Sequence, residues 1–211
     1  MPNWVYNTIS VKGSEAEVDE FLAYAGKPSS FTPGEDRQFN FHSFVTPPAD
    51  KVEEYNTVNG FVGGAQTGDT EFNWYRWNNR NWNTKWNACE VTIDRGVGEW
   101  SQIQFQTAWD APKPVFYAMA ERFPELTFDI EYEEEQGWGG TLKFEEGEAV
   151  WITDWDIPDS HEEYTERGRE CICTWVDDME SWYKDCPRTV EEKKSVDKDG
   201  KHSCNCDKCD K

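Results

Sequence analysis

The sequence has only three histidines among its 211 residues, and it has no apolar run close to the roughly 20 residues that a membrane span needs. The histidines are scattered along the chain and fit no catalytic triad. The pair Gly63-Gly64 lacks the Lys-Ser/Thr that completes a phosphate-binding loop. Residues 1–4 lead into polar alternation rather than into a basic and then apolar leader. We therefore expect a cytoplasmic protein, and we predict no catalytic residue.

Basic residues are few relative to acidic ones. The chain has 42 acidic and 21 basic side chains, which gives a formal net charge of −21. Such a charge repels nucleic acid and anionic membranes and attracts basic surfaces. The composition therefore predicts a protein with a basic surface as partner, and neither nucleic acid nor a membrane. A charged surface that only keeps the protein soluble would have the same composition.

Large aromatic rings are abundant, with 12 Trp, 12 Phe and 8 Tyr. Each ring buries much apolar area, so a compact core is expected despite the charge. Seven cysteines are also present, and in a reducing cytosol they are thiols or metal ligands rather than disulfides. Tetrahedral zinc takes four Cys or His ligands, and the candidate ligands are Cys171, Cys173, His202, Cys204, Cys206 and Cys209. Free thiols are the alternative to a structural zinc site.

Hydrophobic periodicity indicates an α+β fold. Ser14 and Glu17 form a capping box before a helix over residues 15–24, and a second helix begins at Pro112. Strand alternation covers residues 5–11, 38–45, 89–94, 100–109, 126–132, 141–144 and 149–155. A β-α-β…β-α-β order with extra antiparallel strands is the ferredoxin-like pattern.

Composition divides the chain near residue 157. We predict a ferredoxin-like domain over residues 1–157, with an insertion at about 49–88, and a helical, Cys-containing C-terminal appendage over 158–211.

Several ordered motifs resemble a known family. They are residues 1–7 (MPNWVYN), 81–88 (NWNTKWNA), 105–112 (FQTAWDAP) and the acidic stretch that ends in Gly137-Trp138-Gly139-Gly140. Together they resemble the Api-ninety-two-like proteins of phages and conjugative plasmids, over about residues 1–157. The resemblance implies a ferredoxin-like domain and a protein of a mobile element that acts inside a bacterial host cell. It implies no catalytic residue, and it does not extend to the Cys-containing tail.

Acidic residues are concentrated in residues 125–163, which hold fourteen of them and one basic residue, Lys143. On a strand, alternate carboxylates lie about 6.5–7 Å apart, close to two phosphate intervals of one DNA strand. We predict partner contacts from Asp129, Glu131, Glu133, Glu134, Glu135, Glu145, Glu146 and Glu148. The hypothesis is a DNA-mimicking inhibitor of a nucleic-acid-binding defence enzyme, and the alternative is a solvated sheet face.

Residues 72–88 are rich in Trp and Asn and are locally cationic. Exposed Trp rings stack on bases or sugars, so a small-ligand or nucleotide site is the alternative function. Its candidate residues are Trp74, Arg76, Trp77, Trp82, Lys85 and Trp86. The other interpretation is a segment without regular structure whose Trp rings pack onto the sheet while Asn side chains bond to backbone.

Overall fold

The protein is described from a computed structural model, which covers residues 3–56, 61–62, 65–66, 70–96 and 100–168. The chain divides into two compact units, residues 1–155 and 156–211. In chain order the elements are β1 (Trp4–Lys12), α1 (Glu15–Ala25), α2 (Val52–Tyr55), β2 (Phe61–Val62), β3 (Ala65–Gln66), α3 (Trp74–Asn81), β4 (Cys89–Arg95), β5 (Trp100–Ala108), α4 (Lys113–Arg122), β6 (Thr127–Glu134), β7 (Gly139–Glu145), β8 (Glu148–Trp155) and α5 (His161–Glu166).

Six strands form one antiparallel sheet in the order β4-β5-β1-β6-β7-β8. The first four reproduce the ferredoxin-like arrangement, in which β1 and β5 are central and α1 and α4 connect the strands. Strands β7 and β8 extend the sheet as a meander beyond β6. The predicted α+β, ferredoxin-like fold is confirmed.

The core lies on one face of the sheet because apolar residues alternate along every central strand. One row across the strands is aliphatic throughout: Ile93, Ile103, Ile9, Ile130, Leu142 and Ile152. Helix α1 begins at the capping box of Ser14 and Glu17 and packs Phe21 onto this face. The Phe21 ring lies 5.3 Å from those of Phe123 and Phe128, both in edge-to-face geometry.

The prediction of a strand at residues 38–45 is wrong. Phe41–Ser43 is a single 3₁₀ turn, capped by Asn40, whose Oδ1 accepts from the backbone N of His42 at 3.2 Å. Phe39 and Phe41 are both fully buried, so their two-residue spacing reflects core packing of a loop rather than a strand face. The second strand of the ferredoxin-like pattern is β4.

In the second unit the structure describes residues 156–168. Ser160 caps α5 by accepting from the N–H of Glu163 at 3.1 Å, and Arg167 donates to the carbonyl of Asp156 at 2.9 Å. The candidate zinc ligands, Cys171, Cys173, His202, Cys204, Cys206 and Cys209, lie outside the described residues. Within the part of the chain that the structure describes, no helix has the length and apolar character of a membrane span.

Candidate interaction surface

The sheet face opposite α1 and α4, here called the polar face, carries mostly polar side chains in register across five strands. One row runs Gln102, Ser10, Asp129, Lys143 and Trp151. The next row, two residues along each strand, runs Gln104, Thr8, Glu131, Thr141 and Thr153. A third begins Gln106, Tyr6 and Glu133.

Two shallow clefts lie on the polar face, and they share Thr8 in their walls. One has a volume of about 360 Å³ and is lined by, among others, Asp129, Glu131, Lys143 and Trp151. The other has a similar volume, about 360 Å³, and runs between β1, β4 and β5. Trp151 is 62% exposed, so the first cleft has a large aromatic wall beside carboxylates.

The carboxylates of β6 alternate with core residues, as the sequence pattern predicts. Asp129, Glu131 and Glu133 share a face because Phe128, Ile130 and Tyr132 are buried on the other. Two lysines offset part of this charge. Lys12 Nζ lies 2.7 Å from Asp129 Oδ2, and Lys143 Nζ lies 2.6 Å from Glu145 Oε1. The hydrogen bond that Lys143 donates to Glu145 raises the pKa of Lys143, and Glu131 has no ion pair among the described residues.

Glu134 does not belong to this surface. Its side chain is only 1% exposed, because position 134 continues the buried face of β6. Its Oε2 accepts from the backbone N of Gln136 at 2.7 Å. A partner cannot reach this carboxylate without unfolding the strand end, so Glu134 is removed from the predicted contact set.

The other predicted contact residues lie at two opposite ends of β6 and β7. Glu135 is exposed in the β6–β7 turn, whereas Glu145, Glu146 and Glu148 lie at the β7–β8 turn. The predicted acid cluster is therefore a line of three side chains with acidic turns at both ends, rather than one compact patch.

The Trp/Asn-rich segment is more ordered than the sequence indicated. Residues 74–81 form α3, capped by Asn73, whose Oδ1 accepts from Tyr75 N at 3.0 Å. Trp77 and Trp82 are 5% and 1% exposed and belong to the core. They cannot stack on a ligand while they fill this space, so the predicted ligand site loses these two rings.

The remaining candidates of that segment lie at its outer side. Arg76 is exposed, and Trp74, Lys85 and Trp86 are half-buried. The Asn side chains mostly bond to backbone: Asn79 Nδ2 donates to Tyr75 O at 2.6 Å and Asn81 Nδ2 to Trp77 O at 2.8 Å. The rings of Tyr75 and Trp109 also lie around the Lys85 ammonium, and sequence reasoning missed both. Trp109 follows β5 and is distant from Lys85 in sequence.

A separate polar cluster ties β8 to α4. Lys113 Nζ donates to Asp154 Oδ1 at 2.8 Å, and Tyr132 Oη donates to the same oxygen. The hydrogen bond from Lys113 lowers the pKa of Asp154, while burial raises the pKa of Tyr132 to about 12. These groups hold each other and leave no open site, so we assign them to the fold.

No group of three or more metal-ligating side chains comes together within the described ranges. Cys89, at the start of β4, is half-buried, and burial raises the pKa of its thiol. Its position suits a packing role.

Comparison with known proteins agrees with this architecture. Residues 81–172 match the family model described as the ferredoxin-like domain in Api92-like protein. This part of the chain is similar to the ferredoxin-like domain of Api92-like proteins. The match covers β4 to α5, whereas β1 and α1, which complete the sheet and its helical layer, precede it.

The crystal structure of a protein api92 from Yersinia pseudotuberculosis has the same fold as this chain. The TM-score is 0.51 at 8% sequence identity, and the alignment covers 75% of this chain and 99% of the other. At this identity the likeness concerns the fold alone. No curated protein shows significant sequence similarity to the chain.

Proposed function

We propose that the polar face is a docking surface for a basic protein of a bacterial host cell. The observation that carries the proposal is the placement of Asp129, Glu131 and Glu133 at alternate positions of β6, on the sheet face opposite α1 and α4. Charge complementarity selects the partner, because a chain with a net charge of −21 attracts basic surfaces and repels nucleic acid.

The finer hypothesis is inhibition of a nucleic-acid-binding defence enzyme by charge mimicry. The spacing of alternate strand residues, about 7 Å, supports it. The pairing of Asp129 with Lys12 reduces the contribution of Asp129 to this mimicry, because a paired carboxylate offers less negative charge to a partner. Glu131, which has no ion pair among the described residues, therefore carries most of the proposed contact, with Glu133 and the acidic turns at either end around it.

The polar face also offers uncharged contacts. The Gln side chains of β5 can donate and accept hydrogen bonds, and Trp151 provides an exposed indole for an arginine guanidinium. Aromatic anchors with a polar surround are typical of protein interfaces. This mixture favours docking of a folded basic protein over simple charge neutralisation.

The experiment is affinity capture from host lysate with wild type and two charge-matched variants. Glu131→Gln/Glu133→Gln removes two carboxylates from the polar face. Glu121→Gln/Glu125→Gln removes two exposed carboxylates elsewhere, on α4 and after it. We expect wild type and the control variant to capture a basic protein that the polar-face variant does not capture. This capture should weaken as salt rises.

Two results would contradict the proposal. One is capture that both double variants reduce equally, which would indicate a general charge effect. The other is a partner that is acidic or is bound independently of salt.

A further inference from the structure

The ammonium of Lys85 lies inside a cage of aromatic rings. Its Nζ is 4.5 Å from the ring centroid of Trp86, 5.1 Å from that of Trp109 and 5.8 Å from that of Tyr75. All three distances lie within the roughly 6 Å at which a cation is attracted to a ring face. We call these three rings the Lys85 cage.

The rings, rather than a carboxylate, hold this ammonium. The chain has twice as many acidic as basic residues, yet within the described residues no carboxylate forms an ion pair with Lys85. Other lysines of the domain, such as Lys12 and Lys113, do pair with carboxylates. The contacts that the described residues make with this ammonium are therefore with ring faces.

Hydrogen bonds between distant segments fix the walls of the cage. Thr84 Oγ1 donates to Ala108 O at 2.8 Å and accepts from Ala108 N at 3.1 Å, which joins the Trp86 segment to the end of β5. Asn83 Nδ2 donates to Asp110 Oδ2 at 2.7 Å, next to Trp109. The two segments that carry Trp86 and Trp109 are thus joined by hydrogen bonds that do not involve the Lys85 side chain.

Trp109 is held in a backbone conformation that bulky residues rarely adopt. Its φ is 77°, in the left-handed region, and its N–H donates to Asn3 O at 2.9 Å. The result is that its ring projects from the end of β5 and is 42% exposed. Backbone strain of this kind is concentrated at functional sites.

We propose that the Lys85 cage is a binding site for an organic ammonium cation, and that Lys85 is a tethered occupant which the ligand displaces. A methylated or quaternary ammonium is the expected class, because it is less strongly hydrated than a lysine ammonium and fits ring faces without hydrogen-bond partners. The site uses other residues than the polar face, so it does not depend on the proposed docking function.

The test is a titration with tetramethylammonium at constant ionic strength, followed by the indole N–H signals of Trp86 and Trp109 in NMR spectra. Lys85→Ala removes the occupant, whereas Lys85→Met keeps an uncharged side chain of similar length in the cage. We expect Lys85→Ala to bind about tenfold more tightly than wild type, since one cation–π occupant is displaced in wild type. Lys85→Met should bind no better than wild type, and Trp109→Ala should abolish the response in either background.

A neutral probe of the same shape, tert-butanol, separates cation binding from apolar contact. Equal shifts with tert-butanol, or no saturable shift with tetramethylammonium in Lys85→Ala, would overturn the proposal. If Lys85→Ala disturbs the fold, the titration of wild type is the test. The proposal then still requires that wild type show weaker but saturable binding of tetramethylammonium, which Trp109→Ala removes. Its absence would show that the rings serve only to hold Lys85.

Discussion

Asn78 donates a hydrogen bond from Nδ2 to the backbone carbonyl of Lys85 at 3.0 Å, while its Oδ1 accepts from Tyr55 Oη at 2.8 Å. The buried amide of one α3 residue therefore fixes both the loop that carries the caged ammonium and the tyrosine beneath it. Surface chemistry at Lys85 depends in this way on a polar contact in the core.

Asn78→Ala should destabilise the domain by about 2–3 kcal/mol, because it removes two hydrogen bonds, the buried one to Tyr55 Oη and the part-buried one to the carbonyl of Lys85. Asn56→Ala is the matched control. Its exposed amide donates to Val52 O at 3.0 Å, and the loss should stay within about 0.5 kcal/mol. Urea unfolding monitored by circular dichroism measures both. Equal effects of the two substitutions would contradict the assigned role of Asn78.

Stability should fall below pH 6.5 because of His42. Burial, together with the nearby charge of Arg37, lowers the pKa of His42 from 6.5 to about 4. Between these values the unfolded chain binds a proton that the folded domain does not. The free energy of unfolding should therefore decrease as pH falls from 6.5 towards 4, approaching about 1.4 kcal/mol per pH unit.

The measurement is urea unfolding of wild type and His42→Gln at pH 7, 6 and 5, where most carboxylates remain ionised. We expect the variant to be less stable at pH 7 but less sensitive to pH. Parallel pH profiles would show that His42 does not cause the loss.

Gly140 cannot accept a side chain. A Cβ there would lie 2.3 Å from Tyr132 Oη and 2.6 Å from Thr153 O. We expect Gly140→Ala to destabilise the domain by about 1–3 kcal/mol, as overpacking does. Tyr132→Phe removes the contact with Oη and leaves those with Tyr132 Cζ and Thr153 O, both at 2.6 Å, so the same Ala substitution should cost somewhat less in that background. An additive double-mutant cycle would contradict the steric explanation.

Lys12 should weaken binding of the basic partner, since it pairs with Asp129 on the polar face. Lys12→Gln exposes that carboxylate, so capture should become stronger, opposite in sign to Glu131→Gln. Arg80→Gln makes the same charge change in an exposed pair with Glu71 and should have little effect. Neither variant should change stability by more than about 1 kcal/mol. Weaker capture by Lys12→Gln would argue that the lysine itself contacts the partner.

The cysteine and histidine spacing predicts about one zinc per chain, because four such ligands complete a tetrahedral site. Elemental analysis of the full chain, before and after substitution of Cys204 and Cys206 by Ser, measures it. Less than about 0.2 zinc per chain at neutral pH in wild type would favour free thiols.

Local sequence was sufficient where neighbours along the chain set the structure. The Ser14–Glu17 capping box predicted the start of α1, and the alternation of β6 predicted which carboxylates share a face. Both patterns depend on residues two to four positions apart. The ferredoxin-like fold followed from the sequence of such elements and from the family resemblance, although β4, and not residues 38–45, provides the second strand.

Tertiary structure decided what local periodicity leaves open, namely whether a face is covered. The alternation of Phe39 and Phe41 has the period of a strand, but both rings point into the core from a loop. Glu134 stands between the acidic residues Glu133 and Glu135 in the sequence, yet its side chain is buried at the end of β6, as the folded structure shows. Trp82 and Trp86 look alike in sequence, yet one fills the core and the other faces a lysine.

The sequence by itself therefore determined the fold class, the charge and the carboxylate row of β6. The Lys85 cage required the folded chain, because its rings come from α3, from the following loop and from the residue after β5. Hydrogen bonds such as Thr84–Ala108 and Asn83–Asp110 join these segments over more than twenty residues. No pattern of near neighbours encodes contacts over that separation, so only the tertiary structure brings the rings together.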